Sequence, residues 1–200
     1  MNQRVDIGER WRLFIAMAAP EAVRAEIEKT QSEMRQSLRE ARITWTRRGQ
    51  FHMTLKFLGD FEVAHVEELA EAVRGVCRGF GALNLRAEGV GCFPDLRQPR
   101  VIWVGVRDEQ EQLSRLVDKI ETTVSDFTLE EREERFSGHI TLGRIKELEH
   151  SENEKLVQMV QDMAQRSLGQ WRAERIGIMR SELNPQGPLY TKLFKIPLVQ

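Results

Sequence analysis

The 200-residue sequence contains only two cysteines, one tyrosine, four histidines and six prolines. Two cysteines, Cys77 and Cys92, are too few for a disulfide framework or a four-cysteine zinc site. The longest apolar run is the seven residues from Leu13 to Ala19, whereas a membrane-spanning helix needs about 20. The first twelve positions contain five charged residues, which interrupt the apolar stretch that a secretion signal requires. We therefore expect a protein of the reducing cytoplasm that does not span a membrane.

The sequence also lacks a strong net charge, because 30 Lys and Arg residues balance 31 Asp and Glu residues. This balance argues against binding along a nucleic acid strand, where many phosphates must be neutralised. The charge is nevertheless uneven: it is +4 over residues 1–56, −2 over 57–106, −6 over 107–155 and +3 over 156–200. The two basic ends would converge on an anionic ligand if they pack together. The run Glu130–Glu134 is typical of a solvated loop or helix end.

Hydrophobic periodicity predicts short strands alternating with amphipathic helices. Strands are predicted at Trp11–Met17, Ile43–Thr46, Phe51–Leu58, Leu83–Val90, Val101–Val106, His139–Ile145, Ile176–Arg180 and Leu189–Ile196. Helices are predicted at Pro20–Arg42, Val63–Phe80, Glu109–Val124 and Glu152–Ser167. No segment rich in Pro, Gly or Ser is long enough to separate two independent domains. The pattern favours a single α+β domain over residues 1–200 rather than a doubly wound parallel sheet.

One tetrapeptide pattern occurs twice: His52-Met53-Thr54-Leu55 returns 87 positions later as His139-Ile140-Thr141-Leu142. Side chains alternate between the two faces of a strand, so each His shares a face with its Thr. The apolar residues of each copy point to the opposite face, towards a core. If the two halves are related by approximate two-fold symmetry, the His-Thr pairs meet across a cleft. This site would hold two imidazoles and two hydroxyl groups.

Two imidazoles suit phosphodiester chemistry, because histidine titrates near neutral pH and one ring can be neutral while the other is protonated. The neutral ring accepts a proton from the nucleophile and the charged ring donates one to the leaving oxygen. Thr54 and Thr141 can bind phosphoryl oxygens by hydrogen bonds. A zinc site is the alternative, but it needs a third or fourth ligand such as Cys or Glu at recognisable spacing, and none stands out. The scheme needs neither metal nor cofactor.

Around these motifs the sequence resembles the 2H phosphoesterase superfamily, and in particular the bacterial and archaeal RNA 2′,3′-cyclic phosphodiesterases, also called 2′-5′ RNA ligases. The resembling segments are Arg12–Ala16 with Pro20, His52–Gly59, Phe93-Pro94, Pro99–Trp103, His139–Arg144, Ser181–Leu183 and Gly187-Pro188 with Tyr190. They span nearly the whole chain. One departure is Gly138, where many members have proline, and the Glu130–Glu134 run matches no feature of the family.

The resemblance implies a bilobal, pseudo-two-fold α+β fold: two antiparallel sheets, flanked by outer helices, with a central groove. It implies hydrolysis of an RNA or nucleoside 2′,3′-cyclic phosphate to a 2′-phosphate, with reversible 2′-5′ joining of RNA ends as the related reaction. His139 is expected to be the base and His52 the acid, with the roles exchanged in the reverse reaction. Arg144 is expected to contact phosphate, although strict strand alternation places it on the Ile140 face.

The expected partners are RNA ends or small nucleotide cyclic phosphates, bound by a monomer. Two alternatives stay open: a non-catalytic module that binds RNA ends, and a 2H phosphodiesterase acting on 2′-5′ oligoadenylate or a cyclic phosphate of ADP-ribose. Intact His and Thr pairs argue against a pure binding module, which has no need of both imidazoles.

Several further residues have both a functional and a structural interpretation. Arg47 and Arg48 would either meet RNA phosphates or be solvated, and Lys56 would either share the face of His52 or lie at the surface. Among the aromatic residues, Phe93 and Trp103 would stack on a base or pack in the core, and Tyr190 would line the groove or make a structural hydrogen bond. His65 and His150 are expected to be exposed and uninvolved. Cys77 and Cys92 are expected to be small buried residues.

Overall fold

The computed structural model describes residues 8–132, 135–184 and 187–199. In these ranges the chain forms nine strands: β1 (Arg10–Ala18), β2 (Arg42–Trp45), β3 (His52–Glu62), β4 (Leu83–Phe93), β5 (Val101–Arg107), β6 (His139–Glu147), β7 (Ser167–Ala173), β8 (Arg175–Asn184) and β9 (Gly187–Pro197). The four α-helices of the same ranges are α1 (Glu21–Ser37), α2 (Val66–Cys77), α3 (Gln112–Val124) and α4 (His150–Asp162). The predicted α+β class is confirmed.

The strands pair antiparallel in the order β7-β4-β5-β6-β3-β1-β8-β9, and β2 pairs with β6 beside this path. The two expected sheets are therefore joined. The junction is narrow, because β3 and β6 pair only through Met53 and Ile140. Both of these side chains are 1% exposed. The junction thus lies directly over the core, and its neighbouring residues belong to the two His-x-Thr motifs.

The helices are exchanged between the two halves of the sheet. Helix α1 follows β1 but packs against β7 and α4, which lie in the other half. Helix α3 follows β5 but packs against α2 and β3. The apolar stripes of the helices meet the sheet in one hydrophobic core cluster that draws on both halves. That these halves form one domain of two similar lobes stays a prediction.

Most element bounds differ from the sequence prediction by a few residues, and three of these differences change the description of the fold. Helix α1 ends at Ser37 instead of continuing to Arg42. Helix α4 ends at Asp162, and the following residues form β7 along β4, a strand that periodicity did not predict. Strand β3 passes through Gly59 rather than stopping there, because this glycine has a φ of +64° and accommodates an irregularity in the pairing with β1.

No helix in the described ranges is long and apolar enough to cross a membrane.

Candidate active site

A groove with a volume of about 950 Å³ lies where the two halves of the sheet meet. Its lining includes every site residue expected from the sequence: His52, Thr54, His139, Thr141 and Arg144. Met53, Ile140 and Leu142 are buried, so the alternation within each motif is as expected. The sheet thereby presents two imidazoles and two hydroxyl groups to one groove.

Each motif histidine makes the same contact with the backbone two residues before it. The Nδ1 atom of His52 lies 2.6 Å from the carbonyl oxygen of Gln50. The Nδ1 atom of His139 lies 2.7 Å from the carbonyl oxygen of Ser137. A carbonyl oxygen only accepts hydrogen bonds, so Nδ1 must carry the proton in both rings. This contact leaves Nε2 of each ring to accept or donate a proton in the groove.

Aromatic side chains pack against both imidazoles and restrict their orientation. The ring of His52 lies 5.0 Å from Phe14 and 5.3 Å from Tyr190, measured between ring centroids. The ring of His139 lies 4.9 Å from Phe93 and 6.5 Å from Trp103. These neighbours are apolar at their contact faces, so they exclude water from the sides of the imidazoles.

The pKa of His52 is lowered from its ordinary value of 6.5. Burial is the main cause, because it disfavours the charged imidazolium, and the positive charges of His139 and Arg144 act in the same direction. The hydrogen bond to the carbonyl of Gln50 acts in the opposite direction. In the absence of an anion, the neutral form of His52 is therefore favoured in the groove.

Both motifs contain a β-bulge at their leucine. In the pairing of β1 with β3, Ala16 is opposite Thr54 and Ile15 is opposite Lys56, so Leu55 has no partner. In the pairing of β5 with β6, Leu142 is left over in the same way, between Thr141 and Gly143. Each extra residue reverses the alternation of the side chains that come after it.

The bulge at Leu142 explains how Arg144 reaches the groove although strict alternation places it on the Ile140 face. The side chain is exposed and lines the groove together with Thr141. Gly143, the residue after the bulge, packs against Ile43 and Trp45, and a Cβ there would be 2.8 Å from Cγ2 of Ile43. The sequence interpretation treated the strand as regular, and this is why it found the position of Arg144 inconsistent.

The bulge at Leu55 has the opposite effect on Lys56, which points away from the groove. Lys56 is 5% exposed, and its Nζ lies 2.8 Å from a carboxylate oxygen of Glu121 on α3. The same ammonium donates to the carbonyl oxygens of Glu130 and Glu131 at 3.2 and 3.0 Å. Both interpretations from the sequence, a groove lysine and a surface lysine, are therefore wrong. Phe57 takes the groove position instead.

The remaining candidates divide clearly by location. Arg47, Phe93 and Tyr190 line the groove. Arg48 instead forms ion pairs with Glu21 and Glu28 of α1. Trp103 packs against Phe93, and its indole occupies the space that a side chain at Gly91 would need.

The other two histidines and the cysteines lie as expected. The side chains of His65 and His150 are exposed, and their ring nitrogens lie 3.2–3.8 Å from carboxylate oxygens of nearby glutamates. Both cysteines are buried, and burial raises the pKa of Cys77 to about 11 and that of Cys92 to about 12. Their thiols therefore remain protonated at neutral pH.

The start of the acidic run forms part of the groove wall. Glu130, Glu131 and Arg132 are exposed, as expected for a solvated loop, and Glu130 lines the groove. Thr128 anchors this segment by donating to the carbonyl oxygen of Leu58 at 2.8 Å. The other two residues of the run, at positions 133 and 134, lie outside the described residues.

Sequence reasoning missed Arg12, Phe14 and Arg135 as groove residues. Arg12 and Phe14 share one face of β1, which pairs with the motif strand β3, so their parity was a usable signal. No comparable signal marked Arg135, because it lies in a loop. In the described ranges, no group of three or more His, Cys, Asp or Glu side chains is arranged to hold a metal ion.

The chain matches a known family over most of its length. A family model described as LigT-like phosphoesterase matches the chain twice, over residues 18–103 and 104–190. Each match contains one of the His-x-Thr motifs. The double match is therefore consistent with two related halves.

Two relatives of this chain, both of similar length, have the same name. The RNA 2′,3′-cyclic phosphodiesterase of Thermotoga maritima is 31% identical over 186 residues, which cover 92% of this chain and 94% of the relative. The protein of the same name from Methanothermobacter thermautotrophicus is 29% identical over 185 residues, which cover 91% and 96%.

Solved structures share the fold. A crystal structure of a Thermus thermophilus protein matches with a TM-score of 0.77 and 28% identity, covering 94% of this chain and 97% of that one. A structure of Escherichia coli LigT complexed with 3′-AMP matches with a TM-score of 0.69 and 21% identity, covering 96% and 100%. The second likeness concerns the fold alone.

Proposed function

The chain belongs to the LigT-like phosphoesterase family, and from this premise we propose that it is an RNA 2′,3′-cyclic phosphodiesterase. Its substrates are RNA ends or small nucleotides that carry a 2′,3′-cyclic phosphate, and its product is the 2′-phosphate. The names of its relatives support this assignment. The observation that carries it is the pair of histidines in one groove, each with Nδ1 bound to a carbonyl and Nε2 available.

In the proposed reaction a water molecule attacks phosphorus while Nε2 of His139 accepts its proton. The bond from phosphorus to the 3′ oxygen breaks, and Nε2 of His52 donates a proton to that oxygen. The product has a 2′-phosphate and a free 3′ hydroxyl group, and one water molecule has been consumed. Each proton transfer of this kind contributes roughly 10²–10⁴ in rate.

The other groove residues stabilise the charge that develops on the phosphoryl oxygens. The hydroxyl groups of Thr54 and Thr141 donate to these oxygens, and the guanidinium of Arg144 offsets their negative charge. All three side chains lie on the groove surface beside the imidazoles. No step in this scheme uses a metal ion or a cofactor.

The assignment of His52 as the acid requires its protonated form, which the free groove disfavours. A bound cyclic phosphate supplies the missing stabilisation, because its negative charge favours the imidazolium and offsets the repulsion from His139 and Arg144. In this scheme, binding of the substrate therefore favours protonation of His52, and His52 later donates this proton to the 3′ oxygen.

Joining of RNA ends through a 2′-5′ bond is the related reaction. A 5′ hydroxyl group takes the place of water, and the same two histidines transfer the protons. The groove volume of about 950 Å³ leaves room beside one nucleotide for part of a second strand.

The decisive test is incubation with a nucleoside 2′,3′-cyclic phosphate, and with an RNA oligonucleotide ending in one, in the presence of EDTA. We expect the 2′-phosphate as the product, at a rate that EDTA does not change. A 3′-phosphate product would contradict the proposed bond cleavage, and inhibition by EDTA would indicate a metal.

The same assay distinguishes the two alternatives. Binding of the RNA without turnover would indicate a non-catalytic module. Faster turnover of 2′-5′ oligoadenylate or of an ADP-ribose cyclic phosphate would reassign the substrate while keeping the two-histidine chemistry.

A further inference from the structure

A polar side chain is buried beneath the second motif. Gln31 lies on α1 and is 4% exposed. Its Nε2 donates to the carbonyl oxygens of Leu142 and Thr46, each at 2.8 Å. The amide has two hydrogens on Nε2, so both are used. Gln31 therefore links two backbone segments, at Leu142 and at Thr46, through specific hydrogen bonds.

Both segments help to form the groove. Leu142 is the extra residue of the bulge that directs Arg144 into the groove. Thr46 follows the last residue of β2, and its own N–H also donates to the carbonyl oxygen of Leu142 at 2.8 Å. That carbonyl thus receives two hydrogen bonds. Without Gln31, the carbonyl of Thr46 would lose its amide donor.

The geometry points to Gln31 as a positioning residue for phosphate binding, an inference that rests on the function proposed above. By holding the bulge at Leu142 against the end of β2, its amide places Thr141 and Arg144 on the same wall. Gln31 is absent from the described groove lining. Its effect is exerted through the backbone.

The first motif has the corresponding bulge but a different support. There the residue after Leu55 is Lys56, whose ammonium is buried against Glu121 and two backbone carbonyls. The second motif has Gly143 at the position after its bulge, which supplies no side chain for such a contact. The carbonyl of Leu142 is instead held by two groups from other elements, the N–H of Thr46 and the buried amide of Gln31.

Gln31→Met tests the link, because methionine has a similar length and no donor. Thr30→Val is the matched control, since Thr30 is 3% exposed and precedes Gln31 on the same helix. We expect Gln31→Met to lower kcat/KM for a nucleoside 2′,3′-cyclic phosphate about tenfold, as small displacements of catalytic groups do. Thr30→Val should retain nearly full activity.

A double-mutant cycle with Arg144→Gln separates positioning from general damage to the fold. If Gln31 positions Arg144 as well as Thr141, its substitution costs less kcat/KM in the Arg144→Gln background than in the native chain. Multiplicative losses in the double variant, or equal losses in Gln31→Met and Thr30→Val, would overturn the inference.

Binding of inorganic phosphate provides a readout that does not depend on turnover. The affinity is followed through the imidazole signals of His52 and His139 in NMR spectra. We expect Gln31→Met to weaken phosphate binding several-fold in the native chain, and to weaken it less in the Arg144→Gln background. An unchanged affinity would overturn the inference, whereas phosphate binding without hydrolysis by the native chain would contradict only the proposed function.

Discussion

His52 and His139 are bound to the backbone in the same way: Nδ1 of each ring faces the carbonyl oxygen two residues earlier, at 2.6 and 2.7 Å. Because both contacts require a proton on Nδ1, both rings are held in one tautomer, with Nε2 towards the groove. The equivalence lets either ring act as acid or base. Burial and nearby positive charges then favour the neutral form of His52 in the free groove.

The first prediction concerns the need for both rings. His52→Ala and His139→Ala should each lower kcat for a nucleoside 2′,3′-cyclic phosphate by about 10²–10⁴-fold, since each removes one proton transfer. Initial rates of 2′-phosphate formation measure the loss. His65→Ala is the control, because its ring is exposed and pairs with Glu62 and Glu68. Full activity in either motif variant would contradict the two-histidine scheme.

The second prediction concerns the titration of His52. Its pKa should lie below 6.5 in the free protein, because burial and the charges of His139 and Arg144 disfavour the imidazolium. Arg144→Gln removes one of these charges, so the pKa should rise. Inorganic phosphate should raise it too, because an anion in the groove favours the charged ring. NMR titration of the imidazole carbon-bound protons measures all three values.

The direction of these shifts has a consequence for the assignment of roles. If phosphate does not raise the pKa of His52, this residue stays neutral in the complex and is better suited to act as the base. His139 would then be the acid, which reverses the order proposed above.

The sequence alone could predict the two motifs, their shared faces and the groove between them, because a period of two is a strong local signal. It could not predict the path of the strand immediately after each motif. The bulges at Leu55 and Leu142 depend on pairing with β1 and β5, which no local pattern encodes. Because the bulges were not recognised, Lys56 was predicted on the wrong face of its strand, and the expected role of Arg144 conflicted with its predicted face.

For the fold, too, the sequence could predict the local elements and the class but not all of the tertiary relationships. The core stripes of the helices were visible in the sequence, and the α+β class followed from the mixed order of helices and strands with short connections between neighbouring strands. Strand β7 was missed because its burial alternates only partly and its partner β4 is distant in the chain. The exchange of α1 and α3 between the halves is likewise a tertiary relationship, and periodicity contains no information about it.

The third prediction tests the orientation of Arg144. Arg144→Gln should lower kcat/KM about 10²-fold, comparable to the loss of one group that stabilises the transition state. Lys146→Gln, two residues further along β6, is the matched control because its side chain is also exposed but does not line the described groove. Steady-state kinetics at low salt compare the two variants. Equal losses would indicate a general effect of positive charge rather than a directed contact.

The fourth prediction concerns the buried ion pair of Lys56 and Glu121, which are 5% and 8% exposed. Lys56→Met should lower the free energy of unfolding by about 3–5 kcal/mol, because it leaves the Glu121 carboxylate buried without its partner. Glu121→Leu should cost a similar amount for the corresponding reason. Urea unfolding followed by circular dichroism measures both losses.

The double variant Lys56→Met/Glu121→Leu shows whether the loss of stability in the single variants comes from an unpaired buried charge or from the change in side-chain volume. Removing both charges leaves neither unpaired, so most of the lost stability should return. The recovery should be incomplete, because the variant still lacks the hydrogen bonds from Lys56 to the carbonyls of Glu130 and Glu131. These bonds hold a segment of the groove wall, so activity should remain reduced even where stability is restored. Full recovery of both would mean that Lys56 serves only to neutralise Glu121.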